Sequence, residues 1–194
     1  MCAFDDILNK VITIKEFAIH FGTYGNDIYN GMVAAANIHK ECFPDSYSSG
    51  RTNYIMFQKA ICELSNGYVE YGGQGKNKAD CYIDGKPCET KAYDPKEKKH
   101  FIASSCLFAN NGKVREWKDL KKNSQEAARE LLFKLSYEKN DFYCLTQTKN
   151  CTTQFEDVKI LFLEREKLTQ FLLKEDERYL DLDALHKLLS QQGN

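Results

Sequence analysis

No stretch of this sequence is apolar for the roughly 18–20 consecutive residues that a membrane-spanning helix needs. The first residues, MCAFDDILNK, carry two acids where a secretory signal peptide has basic residues. Internal repeats and low-complexity tracts are lacking as well. With 194 residues, of which 42% are hydrophobic and 28% charged, the composition is that of one globular domain. We therefore expect a soluble, cytoplasmic protein with no membrane partner.

None of the eight cysteines lies in a CxxC pair, and no histidine stands at ligand spacing from a cysteine. A zinc site built on such pairs is therefore not expected. Most of the cysteines lie in apolar stretches such as SSCLF and FYCLT, where a free thiol behaves as a small hydrophobic side chain. We predict reduced and mostly buried thiols, in keeping with a cytosolic protein.

The net charge is −1, but the charges are unevenly distributed, and the middle of the chain is basic. Between Lys76 and Lys122 there are twelve Lys and Arg residues against seven Asp and Glu, whereas the rest of the chain has fifteen against twenty-one. A basic segment in an otherwise acidic chain suits binding to a polyanion, because phosphate contacts supply most nonspecific affinity. A solvated lysine-rich loop explains the same charge equally well.

The order of the predicted elements is that of a mixed α/β domain, with a central mixed β-sheet flanked by helices and a helical N-terminal region. Within the first 66 residues, helices are predicted in Phe4–Phe21 and Tyr54–Leu64. Ser124 is predicted to cap a later helix. The remaining predictions are strands at Tyr68–Tyr71, His100–Phe108, Phe142–Thr146 and Val158–Leu163, and helices at Glu164–Leu173 and Asp183–Leu189.

The segment from Lys78 to Tyr93 carries the strongest local signal. Asp84-Gly85, set between residues of alternating β type, predicts a two-residue hairpin turn. Such a turn pairs Ile83 with Lys86 and, three steps further, Asp80 with Glu89. Side-chain alternation then gives an apolar face of Ala79, Cys81, Ile83, Cys88, Thr90 and Ala92. The opposite, open face receives Lys78, Asp80, Tyr82, Glu89, Lys91 and Tyr93.

The charges on the polar face predicted for this hairpin would be stabilised by a bound ligand. Asp80 lies opposite Glu89 and Lys78 opposite Lys91, and like charges that face each other across strands destabilise a sheet. A divalent cation between the carboxylates removes the first conflict, and a substrate phosphate near the lysines removes the second. Oxygen ligands together with a phosphate point to Mg²⁺, which takes one or two protein carboxylates. The predicted chemistry is metal-assisted phosphodiester hydrolysis, in which Lys91 orients the water or stabilises developing charge.

Asp80, a short hairpin and then Glu89-Thr-Lys91 resemble the PD-(D/E)xK nuclease superfamily, particularly type II restriction endonucleases. The resemblance is specific between residues 72 and 93 and loose as far as residue 163. It departs from the motif at Ala79, which replaces the motif's proline at a position that varies in the family. The resemblance implies that Asp80 and Glu89 bind Mg²⁺ and that Lys91 assists the nucleophilic water.

Many members of this superfamily add an acidic ligand from a preceding helix. Glu63 is the best match in this sequence, and Glu70 is the second. The resemblance also makes residues 67–194 the nuclease catalytic core, and residues 1–66 a DNA-contacting or dimerising part of the same domain. The expected DNA contacts are Lys76, Lys78, Lys96, Lys98 and Lys99, with further candidates in Lys113, Arg115, Lys118, Lys121 and Lys122.

The function that these residues favour is a Mg²⁺-dependent endonuclease that cuts double-stranded DNA at a short specific sequence, as a homodimer or as a monomer that nicks one strand at a time. A repair or structure-specific nuclease of the same superfamily is the nearest alternative. The run Gly72-Gly-Gln-Gly75 fits no P-loop pattern, and it is either a turn between strands or a place where the DNA backbone approaches closely.

A non-enzymatic DNA-binding regulator is the alternative from another class. Residues 14–29 resemble a helix-turn-helix, with Ala18 in the first helix, Gly22 at the turn and Ile28 in the second helix. However, Thr23 and Gly31 stand where that motif usually has apolar residues. Two ordinary packed helices are therefore the favoured interpretation of this segment.

Overall fold

The computed structural model describes residues 4–44, 51–73, 79–93, 96–102, 124–146 and 154–191. Its helices are α1 (Ile14–His20), α2 (Asp27–Cys42), α3 (Arg51–Leu64), α4 (Gln125–Lys139), the one-turn α5 (Arg165–Leu168) and α6 (Leu182–Gln191). Its strands are β1 (Val11–Thr13), β2 (Val69–Tyr71), β3 (Cys81–Ile83), β4 (Lys86–Ala92), β5 (Lys99–Phe101), β6 (Phe142–Thr146), β7 (Lys159–Glu164), β8 (Leu172–Leu173) and β9 (Asp176–Asp181).

A six-stranded sheet in the order β1-β7-β6-β4-β3-β2 forms the centre of the fold. β4 and β6 are parallel, and the other neighbouring strands are antiparallel. A second, three-stranded antiparallel sheet has the order β5-β9-β8. The predicted mixed α/β class, with a mixed sheet flanked by helices, is therefore confirmed. β1 comes from the N-terminal region and pairs with β7, so that region contributes a strand to the sheet.

Both faces of the large sheet are covered, because β6 and β7 carry apolar side chains in alternation. On the first face, Cys144 and Phe162 pack in a core cluster that includes residues of α1, α2 and α3. On the second face, Tyr143 and Leu163 pack in a cluster that includes residues of α5, α6 and the small sheet. Strands buried on both sides have this continuous apolar character.

The predicted hairpin and its register are confirmed for the three pairs next to the turn, whereas the predicted pair Asp80–Glu89 is not part of the ladder. Cys81 pairs with Cys88, Tyr82 with Pro87, and Ile83 with Lys86. The turn residues Asp84 and Gly85 both have positive φ, at 49° and 73°. This is the backbone of a type I′ turn, which asparagine, aspartate and glycine tolerate.

Helix caps fix where several elements begin. Thr13 and Glu16 form a capping box at the start of α1, and the Ser124 hydroxyl accepts from the Ala127 N–H at the start of α4, as predicted. Thr23, which follows α1, has a structural reason to be polar. It is buried, and its hydroxyl donates to the Leu64 carbonyl at 2.8 Å, which ties the α1–α2 turn to the end of α3.

Two of the predicted helices differ from the structure. In place of one helix over Phe4–Phe21, the chain forms β1 and the short α1. In place of a helix over Glu164–Leu173, one turn of helix ends at Leu168, and Leu172 pairs with Leu180 in the small sheet. The apolar residues of this segment have helical spacing, but pairing with β9 determines the conformation of its end. The predicted strand His100–Phe108 is β5 at its start, and residues 103–108 lie outside the described residues.

The geometry of residues 14–29 agrees only in part with a helix-turn-helix. Ala18 is buried, and Gly22 has the positive φ of 71° that a tight turn requires. Ile28, which such a motif would pack inside, is 46% exposed. The segment is therefore closer to two packed helices than to the predicted motif.

The cysteines behave as small hydrophobic side chains. The described ones are free, and Cys62, Cys81, Cys88 and Cys144 are buried whereas Cys42 is exposed. Burial raises the pKa of Cys62 to about 12. Thiols of that kind are unreactive near neutral pH. Within the described part of the chain, none of the helices has the length and apolar content needed to cross a bilayer.

Candidate active site

The hairpin β3–β4 positions the three residues that are predicted to react. Asp80 immediately precedes β3, and Glu89 and Lys91 lie two residues apart on β4. Because strand residues alternate, Glu89 and Lys91 share the second face of the sheet with Tyr93. This face is not open along its length, contrary to the prediction, since Tyr93 is 2% exposed in the core cluster. Glu89 and Lys91 therefore lie in a partly buried position beside that cluster.

Thr90 holds the Asp80 carboxylate. The Thr90 N–H donates to Asp80 Oδ2 at 2.8 Å, and the Thr90 hydroxyl donates to the same oxygen at 2.9 Å. The β3–β4 ladder has its last pair at Cys81 and Cys88, so the carboxylate meets an N–H that the ladder leaves available. The described hydrogen bonds to this carboxylate thus all end on Oδ2.

Burial raises the pKa of Asp80, and the negative charge of Glu89 raises it further. The hydrogen bonds from Thr90 and the positive charge of Lys91 act in the opposite direction but are outweighed. The charge of Glu89 therefore acts on Asp80.

Glu89 forms an ion pair with Lys91. Lys91 Nζ lies 2.7 Å from Glu89 Oε1, and the two side chains are only 11% and 13% exposed. The field of Glu89 also reaches the neighbouring strand, where Tyr143 is its register partner. The pKa of the Tyr143 hydroxyl is raised by burial and then by the charge of Glu89. One carboxylate and one ammonium group are thus paired in a poorly solvated place.

Gly72 packs against the backbone of Ala79 and Asp80. Its N–H donates to the Asp80 carbonyl at 3.0 Å, and a Cβ added to it would lie 1.9 Å from the Ala79 carbonyl oxygen. Glycine is therefore required here by the protein's own backbone. The two interpretations of the glycine run, a turn or a site of DNA approach, also concern residues 74–75, which lie outside the described residues.

Gln58 is a site residue that the sequence analysis missed. It is 4% exposed on α3, and its Nε2 donates to the Thr90 hydroxyl at 2.6 Å. A signal for it is present in the sequence. At helical spacing, Gln58 falls between Ile61 and Cys62 around the helix, so a polar side chain lies on a buried helix face.

The predicted third acidic ligand lies elsewhere. Glu63 is exposed near the end of α3, on the side of the helix that carries the exposed Lys59, and Glu70 is exposed on the edge strand β2. Across the described residues, no three His, Cys, Asp or Glu side chains are grouped as around a metal ion. Asp80 and Glu89 remain the predicted carboxylates, and the structure links them by the charge of Glu89 acting on Asp80. Two carboxylates fit Mg²⁺, which needs one or two from the protein.

The predicted DNA-contacting lysines are placed in part. Lys76 and Lys78 lie outside the described residues, as do Lys113, Arg115, Lys118, Lys121 and Lys122. Lys96, Lys98 and Lys99 are exposed at and before β5. The Lys99 Nζ lies 4.8 Å from the centre of the Tyr179 ring. The pKa of Asp176 is lowered mainly by its hydrogen bond from Arg178 and to a smaller extent by Lys99, so the charge of Lys99 is partly matched within the small sheet.

Comparison with known proteins adds no family assignment. The chain matches no protein-family model, and neither a curated protein nor a solved structure is significantly similar to it.

Proposed function

We propose that this protein is a Mg²⁺-dependent endonuclease that hydrolyses double-stranded DNA at a short specific sequence, in the manner of a type II restriction enzyme. The observation that supports this most is the grouping of Asp80, Glu89 and Lys91 on one hairpin, with both carboxylates within reach of each other's charge. The proposal includes a PD-(D/E)xK-like core and a cytoplasmic location, as the resemblance of the hairpin motif implies.

Asp80, Glu89 and Lys91 have different roles in the proposed reaction. Asp80 and Glu89 would hold Mg²⁺, which when bound supplies the positive charge that polarises the phosphoryl group. Lys91 is held 2.7 Å from Glu89 and carries donors that can orient the attacking water or stabilise the charge that develops on a phosphate oxygen. The partly buried position strengthens each of these electrostatic interactions relative to bulk water.

The basic segment supplies the affinity for the substrate. Lys96 and Lys98 are exposed, and Lys96 follows Tyr93, at the end of β4, by three residues. Three residues of extended chain span at most about 11 Å. A duplex whose phosphate lies at Lys91 would thus pass these lysines within a few nucleotides.

Cleavage of plasmid DNA tests the proposal directly. Supercoiled plasmid incubated with the protein and Mg²⁺ should give discrete fragments, and a chelator should abolish cutting. Glu89→Gln should remove the activity, whereas Lys86→Ala in the same hairpin should leave it intact. General or structure-dependent cutting would favour a repair nuclease, and binding without any cutting would favour a non-enzymatic regulator.

The time course of the same reaction addresses the proposed homodimer. One active centre per chain can cut a duplex either with two chains acting together or by two successive nicks. Direct appearance of linear plasmid supports the dimer, and accumulation of open circles before linear product indicates a monomer. The molar mass in solution should agree with whichever product order is seen.

A further inference from the structure

A chain of hydrogen bonds runs from the helix layer to the candidate metal-binding carboxylate. Gln58 Nε2 on α3 donates to Thr90 Oγ1 at 2.6 Å, and Thr90 Oγ1 donates to Asp80 Oδ2 at 2.9 Å. The threonine hydroxyl has one proton and two lone pairs. Because Gln58 occupies a lone pair, the proton is directed toward Asp80. The amide on α3 therefore fixes the direction in which Thr90 donates.

We infer that Gln58 is a positioning residue for the Asp80 carboxylate and acts through Thr90, the middle residue of Glu89-Thr-Lys91. Thr90 donates to Oδ2 twice, from its N–H and from its hydroxyl, and among the described residues no further hydrogen bond reaches this carboxylate. Both bonds end on Oδ2, and neither engages Oδ1. Oδ1 is the oxygen that this arrangement presents to a divalent cation.

The burial of Gln58 supports a specific role. A buried amide costs free energy unless it is hydrogen-bonded, so an apolar side chain is the ordinary occupant of a helix face in a core. The neighbours of Gln58 on that face, Phe57 and Ile61, are apolar and buried. The polar side chain lies where α3 reaches Thr90. Hydrogen bonds of this kind, behind a metal ligand, typically change metal affinity by about 10–100-fold when removed.

The inference rests on the proposed function, and Mn²⁺ binding separates the two. Binding of Mn²⁺ to the full chain can be measured by electron paramagnetic resonance without DNA. Gln58→Leu and Thr90→Val should each weaken Mn²⁺ binding by about tenfold or more. Thr90→Ser, which keeps the hydroxyl, should restore binding close to that of the unaltered chain. Lys59→Ala, on the exposed side of the same helix, should leave binding unchanged.

Cleavage kinetics provide the second measurement. The same variants should raise the Mg²⁺ concentration needed for half-maximal cleavage while the rate at saturating Mg²⁺ falls much less. A merely structural role for Gln58 would lower the melting temperature and leave metal binding by the folded protein unchanged. Should Gln58→Leu fail to fold, the comparison of Thr90→Val with Thr90→Ser decides.

The outcomes are distinguishable. If the unaltered chain binds Mn²⁺ but cuts no DNA, the proposed function is wrong, and the positioning role is still decided by the binding series. If Gln58→Leu and Thr90→Val bind Mn²⁺ as tightly as the unaltered chain, the inference is overturned. It is overturned as well if the unaltered chain binds no Mn²⁺, because there is then no metal for Asp80 to be positioned toward.

Discussion

Asp80 is a carboxylate in a place that favours its neutral form. Burial and the nearby charge of Glu89 raise its pKa above the ordinary value, and the Thr90 hydrogen bonds and Lys91 compensate only in part. An acid whose pKa is higher in the folded state than in the unfolded state costs folding free energy once it ionises. That cost appears as the pH rises from the unfolded pKa, 3.8, through the raised folded pKa. A site that destabilises the free protein in this way is typical of function.

Asp80→Asn should therefore stabilise the protein at neutral pH. With chelator present, we expect the melting temperature to rise by a few degrees at pH 7 and by less at pH 4, close to the unfolded pKa, where the cost of ionising Asp80 has hardly begun to appear. Each kcal/mol corresponds to about 2–4 °C for a chain of this size. Asp84→Asn, in the exposed turn of the same hairpin, is the matched control and should have little effect at either pH. A larger gain at pH 4 than at pH 7 would mean that folding lowers the pKa of Asp80 instead of raising it.

Lys91→Met tests the role of the ammonium group at the same scale. The methionine side chain has a similar length without the charge, so packing is largely preserved. We expect cleavage at saturating Mg²⁺ to fall by about 10²-fold or more, as when one stabilising donor is removed. DNA affinity measured in chelator should change little, because most phosphate contacts lie elsewhere. Lys86→Met should cut DNA at the rate of the unaltered chain, and near-normal cutting by Lys91→Met would remove Lys91 from the mechanism.

At the scale of the elements, what the sequence predicts well is local. The Asp84-Gly85 turn fixes the hairpin register because both residues tolerate positive φ, and the register in turn places Glu89 and Lys91 on one face. The Ser124 cap predicts the start of α4, and this signal is local too, since the cap bonds an N–H three residues away. Asp80, Glu89 and Lys91 could accordingly be named from residues 78–93 alone.

The features that the sequence does not predict depend on partners far along the chain. Leu172 has helical spacing with Leu168, yet it pairs with Leu180 across the β8–β9 hairpin. Gln58 meets Thr90 across 32 positions, and helical spacing can place Gln58 on the buried face but cannot show which residue it meets there. The second face of the sheet is predicted to be open because hairpin alternation does not show what packs on it. Tertiary contacts decide such features.

Gly72→Ala tests how the edge of the sheet supports the site. The added Cβ would lie 1.9 Å from the Ala79 carbonyl oxygen, a backbone atom that cannot rotate away. We expect a loss of about 1–3 kcal/mol in unfolding free energy, as for overpacking, together with reduced Mg²⁺-dependent cleavage because Asp80 adjoins Ala79.

Gly31→Ala provides the opposite control. Gly31 lies inside α2, and an added Cβ there meets nothing within 4 Å. Alanine should stabilise that helix by about 0.5–1 kcal/mol and leave cleavage unchanged. Equal stability changes for Gly72→Ala and Gly31→Ala, measured by urea unfolding, would contradict the close approach at Gly72.

At the scale of the whole molecule, the positions of the exposed lysines can be compared with the two edges of the large sheet. β1 and β2 are the two edges of the large sheet, and the hairpin that carries the site lies next to β2. The exposed Lys96 and Lys98 follow β4 directly in the chain, whereas the exposed Lys10 precedes β1 at the opposite edge. A duplex bound at the site should therefore meet the first two lysines and not the third.

The salt dependence of DNA affinity tests this placement. Each phosphate contact releases condensed counterions, so log K falls with log salt concentration by about 0.9 per contact for duplex DNA. The double substitution Lys96→Ala and Lys98→Ala should reduce that slope by roughly 1.8 and weaken binding to all sequences alike, because phosphate contacts carry no sequence information. Affinities measured by fluorescence anisotropy between about 50 and 200 mM salt, with chelator to prevent cutting, give the slope. Lys10→Ala removes an equally exposed charge at the far edge and should leave the slope unchanged. If Lys10→Ala lowers the slope as much per lysine as the double substitution does, the DNA does not lie across the β3–β4 side of the sheet, and the basic segment is an ordinary solvated surface.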